Sequence, residues 1–405
     1  MQVDTLIFGG GAAGLWLLDE LLRRGESAVL LEAGQLGRGQ TIASQGIIHG
    51  GLKYTLQGLL TRSATGIRDM PGVWRDCLAG SRQPDLHATR LRSDCCYLWR
   101  TDSVRSRLGM IGARIGLRVS PNELPIEQRP EVLRGCPGVV ARLDEQVISP
   151  SDFLADLSDR NRDFILQIEA NDGLSFDCDA PGQIRAVTLS NPTGGDRLQI
   201  QPSQLVFTAG GGNAELRRQV GLNTEVMQKR PLHMVMLRGP LPLLNGHCID
   251  GARTRVTVTS DTDLTGRTIW QVGGQIAEDG VAMEPEELTA FAAVELRAVL
   301  PGVDLNDVEY ATYRVDRAEG STRNGRRPEQ AQILTAGNTI TAWPTKLALV
   351  PQLVDAVSSL LVTAKFARPV LPAEWPRPRV AVPPWETCSN WWRFDAQTNE
   401  AQRAA

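Results

Sequence analysis

The residues that most clearly suggest chemistry lie within the first 32 positions. Gly9-Gly10-Gly11-Ala12-Ala13-Gly14 comes directly after the apolar run VDTLIF (residues 3–8) and opens the amphipathic run LWLLDELLRRG. A second apolar run, SAVLLE, ends at Glu32, 18 positions after Gly14. A strand, a glycine turn, a helix and a second strand with a terminal acid form the pattern of a dinucleotide site. Gly9 permits the tight turn, Gly11 lets backbone approach a pyrophosphate, and Gly14 lets the helix pack on the strand. Ala12 and Ala13 open the helix, whose N-terminal N–H groups stabilise phosphate charge. Glu32 can accept a hydrogen bond from a ribose hydroxyl.

FAD and NAD share this pattern, and the segment after Glu32 separates them. A complete NAD domain continues with regular strand–helix units. Here the second strand runs into a long loop, residues 36–58, rich in Gly, Ser and Thr. Hydroxyls such as Thr41 and Ser44 can reach a pyrophosphate or ribityl chain, and loop N–H groups can face a flavin. An ordinary polar loop is the alternative.

Lysine is rare: the 43 basic residues include only Lys53, Lys229, Lys346 and Lys365, so a Lys inside a motif draws notice. The four histidines contain no HExxH pattern, and the seven cysteines contain no CxxC pair, so no metal site is expected.

Strands and helices elsewhere in the chain must position these groups. Short strands are expected at 164–170 and 184–190, and a strand opening into a glycine turn at 205–213. The region 229–275 is strand-like, 286–299 is a helix, and 308–315 is a strand. TITAWPTKLALVPQLVDAVSSLLVTAKF reads as a strand, a turn and one long helix, with Lys346 at its start. The tail, 369–405, is proline-rich and carries four of the nine Trp, as an extended segment laid over the surface would.

Gly9 to Gly14 with Glu32, then GQTIASQGIIHGGLKY at 39–54, resemble the D-amino-acid-oxidase-type FAD oxidoreductases. Within them, IIHGGLKY is similar to a segment of FAD-dependent glycerol-3-phosphate dehydrogenases and to a shorter run of L-2-hydroxyglutarate dehydrogenases. VISPSDFLADL, LVFTAGGGN and AWPTKLALVPQLVDA agree in order, so the resemblance spans about residues 1–365. It departs in two places: Lys53 stands where the glycerol-phosphate enzymes have Arg, and Pro-Thr-Lys replaces Gly-Gly-Lys.

The resemblance implies FAD as cofactor, with Gly46, Gly210, Gly211, Thr345, Lys346 and Leu347 joining the contacts named above. It implies oxidation of a small, polar, anionic substrate, a hydroxy acid or phosphorylated polyol, by hydride transfer to flavin N5. The alternative is an amine or amino-acid oxidase of the same fold. An alcohol needs a base for its hydroxyl proton, and His49 suits that task; positioning beside the flavin or covalent flavin attachment are its other readings. Lys53 and Tyr54 can bind an anionic group or polarise a carbonyl. Lys346 can stabilise the negative charge of reduced flavin. Arg314 and Arg327 lie where family members place a substrate-binding guanidinium, which grips a carboxylate or phosphate as a fork. His233 can face the pocket from a strand.

The fold expected is α/β. A Rossmann-like FAD-binding domain is built from 1–75, 140–225 and 335–368, and a mixed or antiparallel sheet with helices forms the substrate domain from 76–139 and 226–334. The chain has 405 residues, hydrophobic residues are 42% and net charge is −3. Such values fit a soluble globular enzyme and argue against nucleic-acid or polybasic membrane binding. No secretory leader or 18-residue apolar run is visible, so a cytoplasmic protein, at most peripheral to a membrane, is expected. Its electron acceptor, oxygen or another, is not legible.

Overall fold

The computed structural model describes residues 1–50, 67–101, 122–170, 172–250 and 253–393. VDTLIF and AVLLE have no polar face, as strands covered on both sides require. They become β1 (Gln2–Phe8) and β2 (Ala28–Glu32), joined by α1 (Ala12–Arg23). The strand Arg197–Phe207 pairs with β1 in parallel, and Ile165–Gln167 pairs with β2 in parallel. Thr339–Trp343 and Gln332–Ala336 extend the sheet beyond Arg197–Phe207. A hairpin, Leu174–Ala180 and Gln183–Ser190, completes eight strands.

One face of this sheet is covered by α1, by the helix Pro150–Arg160 and by the helix Val350–Ser358. Trp16 of α1 packs edge-on against Trp74 at 4.9 Å between ring centroids, and Phe153 lies against both. The last helix is shorter than the sequence suggests. Lys346 precedes one 3-10 turn, Leu347–Leu349, and the α-helix runs only over Val350–Ser358. Pro351 sits in its first turn, where a missing N–H costs nothing, so the proline sets the start of the helix.

The second sheet also has eight strands, in the order Glu309–Gly320, Met227–Gly239, Thr268–Gly273, Arg253–Thr262, Gly246–Asp250, Cys96–Arg100, Val140–Leu143 and Asn122–Glu123. All its pairs are antiparallel except Gly246–Asp250 with Cys96–Arg100. The helix Pro285–Val299 buries Leu288, Ala292 and Leu296 in the core beneath this sheet. Among the described residues, no helix is long and apolar enough to cross a membrane.

The loop after β2 joins the two sheets. Gln45 Nε2 donates to Gln271 O at 2.9 Å, and Tyr313 Oη donates to Ala43 O at 2.9 Å. The tail crosses both units. Trp375 is buried in the first core and donates from Nε1 to Gln167 O at 2.8 Å. Further on, Trp392 pairs its backbone with Tyr310, and Arg238 lies 4.1 Å over the Trp391 ring. Losing a fully packed tryptophan costs about 3–5 kcal/mol. Trp375→Ala should therefore lower the urea-unfolding free energy by about that much; an unchanged midpoint would show that the tail adds nothing to the core.

Candidate active site

The turn Gly9–Gly14 is built so that only glycine fits at two of its positions. Gly9 has φ +103°, and a Cβ there would lie 2.4 Å from Ala209 Cα. A Cβ on Gly14 would lie 1.9 Å from Gly9 O. Gly11 differs: its Cβ would meet only Thr41 Oγ1, at 3.3 Å, so that side of the turn faces open space. Gly11 caps α1 without any side-chain hydrogen bond of its own. Thr41 Oγ1 accepts from Ala12 N at 3.3 Å.

Glu32 closes the cradle. Its carboxylate accepts from Gly10 N at 2.7 Å and from Gly34 N at 2.8 Å. Burial pushes its carboxyl up, and these backbone donors partly counter that. A helix N-terminus met by Thr41, a cleared backbone at Gly11 and a neighbouring half-buried acid fit the adenine-dinucleotide half of FAD.

Beyond this cradle a cavity of about 400 Å³ opens between the loop after β2 and the second sheet. Ser44, Gly46, His49, Arg327, Thr345, Lys346 and Leu347 all line it. Gly46 has φ +71°, and a Cβ there would lie 2.1 Å from Ile148 O. Ser44 Oγ is buried with no hydrogen-bond partner among the described residues, a polar atom suited to a bound ligand. Lys346 is 4% exposed, and Thr345 before it holds φ +59°, a strained conformation for a β-branched residue. Arg327 donates from Nη2 to Thr345 O at 3.2 Å.

His49 is placed by backbone pairing. Ile47 bridges Val147, Ile48 N donates to Gln146 O, and Ile148 N donates to Gly46 O. This pairing brings His49 to Glu145, with Nδ1 and Oε2 3.3 Å apart. Glu145 Oε1 accepts from Gly50 N at 2.8 Å, and Oε2 lies 3.7 Å from His247 Nε2. His247 Nδ1 is 2.9 Å from Thr257 Oγ1. Burial alone would push the Glu145 carboxyl up, but the hydrogen bonds and charges of His247 and His49 outweigh it and hold the group well below the ordinary carboxylate range.

Two expected site residues face elsewhere. Arg314 donates to Val281 O at 2.8 Å and Met283 O at 3.0 Å, while its strand neighbours Val315 and Arg317 line the cavity. His233 is buried beside Gly280 O at 3.1 Å, while Leu232 and Met234 line the cavity. Burial pushes the His233 imidazole down, toward the neutral form. Alternate residues of a strand point to opposite faces, so a one-residue difference decides each case. Gly210 and Gly211 begin a 3-10 turn after Arg197–Phe207, and Trp343 Nε1 donates to Gly210 O at 3.4 Å. Lys53 and Tyr54 lie outside the described residues.

Two cavity residues, Arg317 and His247, and the carboxylate behind them, Glu145, were not singled out from sequence. Arg317 pairs with Glu278 at 2.9 Å; burial, then the charges of Arg230 and Arg327, pull its guanidinium below its ordinary range. His247 and Glu145 carry no motif around them, though His247 is one of only four histidines. Among the described residues, Arg253, Arg317, Arg327 and Lys346 line the cavity with one carboxylate, Glu278.

A family model described as FAD dependent oxidoreductase matches residues 4–341. A probable FAD-dependent oxidoreductase of Pseudomonas aeruginosa is 39% identical over 395 residues, covering 95% of this chain and 98% of that one. Its crystal structure superposes with a TM-score of 0.80 at 36% identity, over 95% and 98% of the two chains. Glycine oxidase from Geobacillus kaustophilus shares the fold, with a TM-score of 0.62 at 15% identity over 93% and 99% of the chains. So does FAD-bound L-alpha-glycerophosphate oxidase from Mycoplasma pneumoniae, with 0.62 at 14% over 91% and 97%. The chain belongs to this family of FAD-dependent oxidoreductases, and its cofactor is FAD.

Gly11→Val should fold normally and purify without the yellow flavin absorbance, because its methyls fill the cradle and touch little else; full flavin content would contradict the placement. A carboxylate held below its ordinary range adds stability that is present above about pH 4.3 and is lost as pH falls further. Urea midpoints of Glu145→Gln should therefore depend less on pH below that point than wild type, and parallel curves would contradict the buried ionised group.

Proposed function

We propose that this protein oxidises a small anionic alcohol, a hydroxy acid or a phosphorylated polyol, with FAD bound in the cradle. The observation that carries the reading is the cavity's charge: four basic side chains face one carboxylate, with a carboxylate-backed imidazole beside them. Bound FAD supplies the acceptor for the hydride that leaves the substrate carbon.

The chain's residues supply the rest. Arg327 and Arg317 hold the anionic end, since a guanidinium fork matches carboxylate or phosphate geometry. An anion also relieves the repulsion among the neighbouring guanidinium groups of Arg317, Arg327 and Arg230. His49 takes the hydroxyl proton on the ring nitrogen remote from Glu145. Lys346, almost fully buried, places positive charge at the cavity wall where charge develops on the cofactor. We take Thr41, Ser44, Gly46, Gly210, Gly211, Thr345 and Leu347 as cofactor contacts. The same reading takes the enzyme to work in the cytoplasm on a free small molecule, with oxygen or another acceptor reoxidising it.

Glu278, the one cavity carboxylate among the described residues, would suit an ammonium and keeps amine oxidation as a second reading. Anaerobic mixing of the yellow holoenzyme with hydroxy acids, polyol phosphates, amino acids and N-methyl amino acids separates the two. Loss of the flavin's visible band with a hydroxy acid or polyol phosphate supports the first; loss only with amines overturns it. Arg327→Met should raise KM for the bleaching substrate roughly tenfold or more, the size of a lost charge-assisted hydrogen bond, with kcat changed less.

A further inference from the structure

We propose that Glu145, which also lies beside His247, fixes the tautomer of His49, so that Nδ1 carries the proton and Nε2 carries the lone pair. This rests on the reading of His49 as the base, and adds two positioning residues to it.

The geometry leaves few alternatives. An ionised carboxylate only accepts hydrogen bonds, so a ring nitrogen facing it carries a proton. Glu145 Oε2 is 3.3 Å from His49 Nδ1 and 3.7 Å from His247 Nε2. Glu145 Oε1 is already committed to Gly50 N at 2.8 Å. The carboxylate therefore has one oxygen for the backbone of the flavin-side loop and one for the two imidazoles. His247 carries its proton on Nε2 and accepts from the Thr257 hydroxyl, 2.9 Å from its Nδ1. Its ring stands 5.5 Å from that of His49, tilted by 31°.

The nitrogen protonated in a histidine is set by the hydrogen bond its other nitrogen makes. Were His49 protonated on Nε2 instead, Nδ1 would present a lone pair to a carboxylate, and Nε2 would be an N–H that cannot take a proton. With the proton on Nδ1, the substrate hydroxyl proton passes to His49 Nε2 as the hydride leaves the adjacent carbon, and a carbonyl forms. The resulting imidazolium stays paired with Glu145, so the transferred positive charge appears beside a negative one already in place. It returns the proton to water after the product leaves.

The chain's four histidines make the test direct. Long-range proton–nitrogen spectra of the holoenzyme, labelled with nitrogen-15 histidine and assigned by single His substitutions, read each ring's tautomer without any substrate. The expected result is His49 protonated on Nδ1 and His247 on Nε2. In Glu145→Gln, His49 should shift toward the Nε2-protonated form, and flavin reduction by a bleaching substrate should slow roughly a hundredfold or more. Thr257→Val, should the first variant not fold, should disturb the His247 signals while His49 keeps its tautomer.

Wild-type His49 protonated on Nε2 would overturn the proposal, as would an unchanged His49 in Glu145→Gln. Stoichiometric zinc uptake with loss of both N–H signals would also overturn it, because the three side chains would then be a metal site. A failure of the substrate reading looks different: the tautomers stand as expected while no hydroxy acid or polyol phosphate bleaches the flavin.

Discussion

The carboxylate of Glu145 is the contact on which the site depends. It is buried and held well below the ordinary carboxylate range, and it accepts from Gly50 N, faces His49 Nδ1 of the same loop at 3.3 Å, and lies 3.7 Å from His247 Nε2 of the second sheet. A buried charge without partners would cost several kcal/mol, so the loop and the sheet cannot separate without exposing it or leaving it unpaired. The backbone bridge between Ile47 and Val147 holds the loop at the distance this requires.

Around that contact the molecule divides its work. The first sheet and α1 make a glycine turn cleared of side chains, which we propose as the dinucleotide cradle. The second sheet makes a wall that carries charge, with Arg317 on its edge strand and Arg253 and His247 on two paired inner strands. The loop after β2 belongs to both: Thr41 touches the cradle, Gln45 and Ala43 bind the wall, and His49 faces the space between them. The Trp-bearing tail then packs on both units, so the cavity's width does not rest on the loop alone.

The glycine turn was legible in the sequence because its geometry is local. Gly9, Gly11, Gly14 and Glu32 lie within one strand–helix–strand unit, and their spacing is itself the geometry. The cavity wall was not legible to the same degree. Choosing between Arg314 and Arg317, or between His233 and its neighbours, requires the strand's phase relative to the core. RPLHMVML and TYRVDR are too mixed in polarity to reveal it. Glu145 and His247 lie 96 and 198 residues from His49; the pairing of the loop with Val147–Ile148 brings Glu145 to it, and the second sheet brings His247. Lys346 was found by its rarity, yet its setting, an extended residue before a short 3-10 turn rather than the start of a long helix, depended on where Pro351 allowed the α-helix to begin.

The measurement that bears most directly on this account is a crystal structure of the FAD-loaded protein with a small hydroxy carboxylate bound. The account predicts the carboxylate on Arg317 and Arg327, and the hydroxyl oxygen within hydrogen-bond distance of His49 Nε2, with His49 Nδ1 still on Glu145. A ligand whose hydroxyl points away from His49, or whose anionic end avoids both arginines, would contradict it.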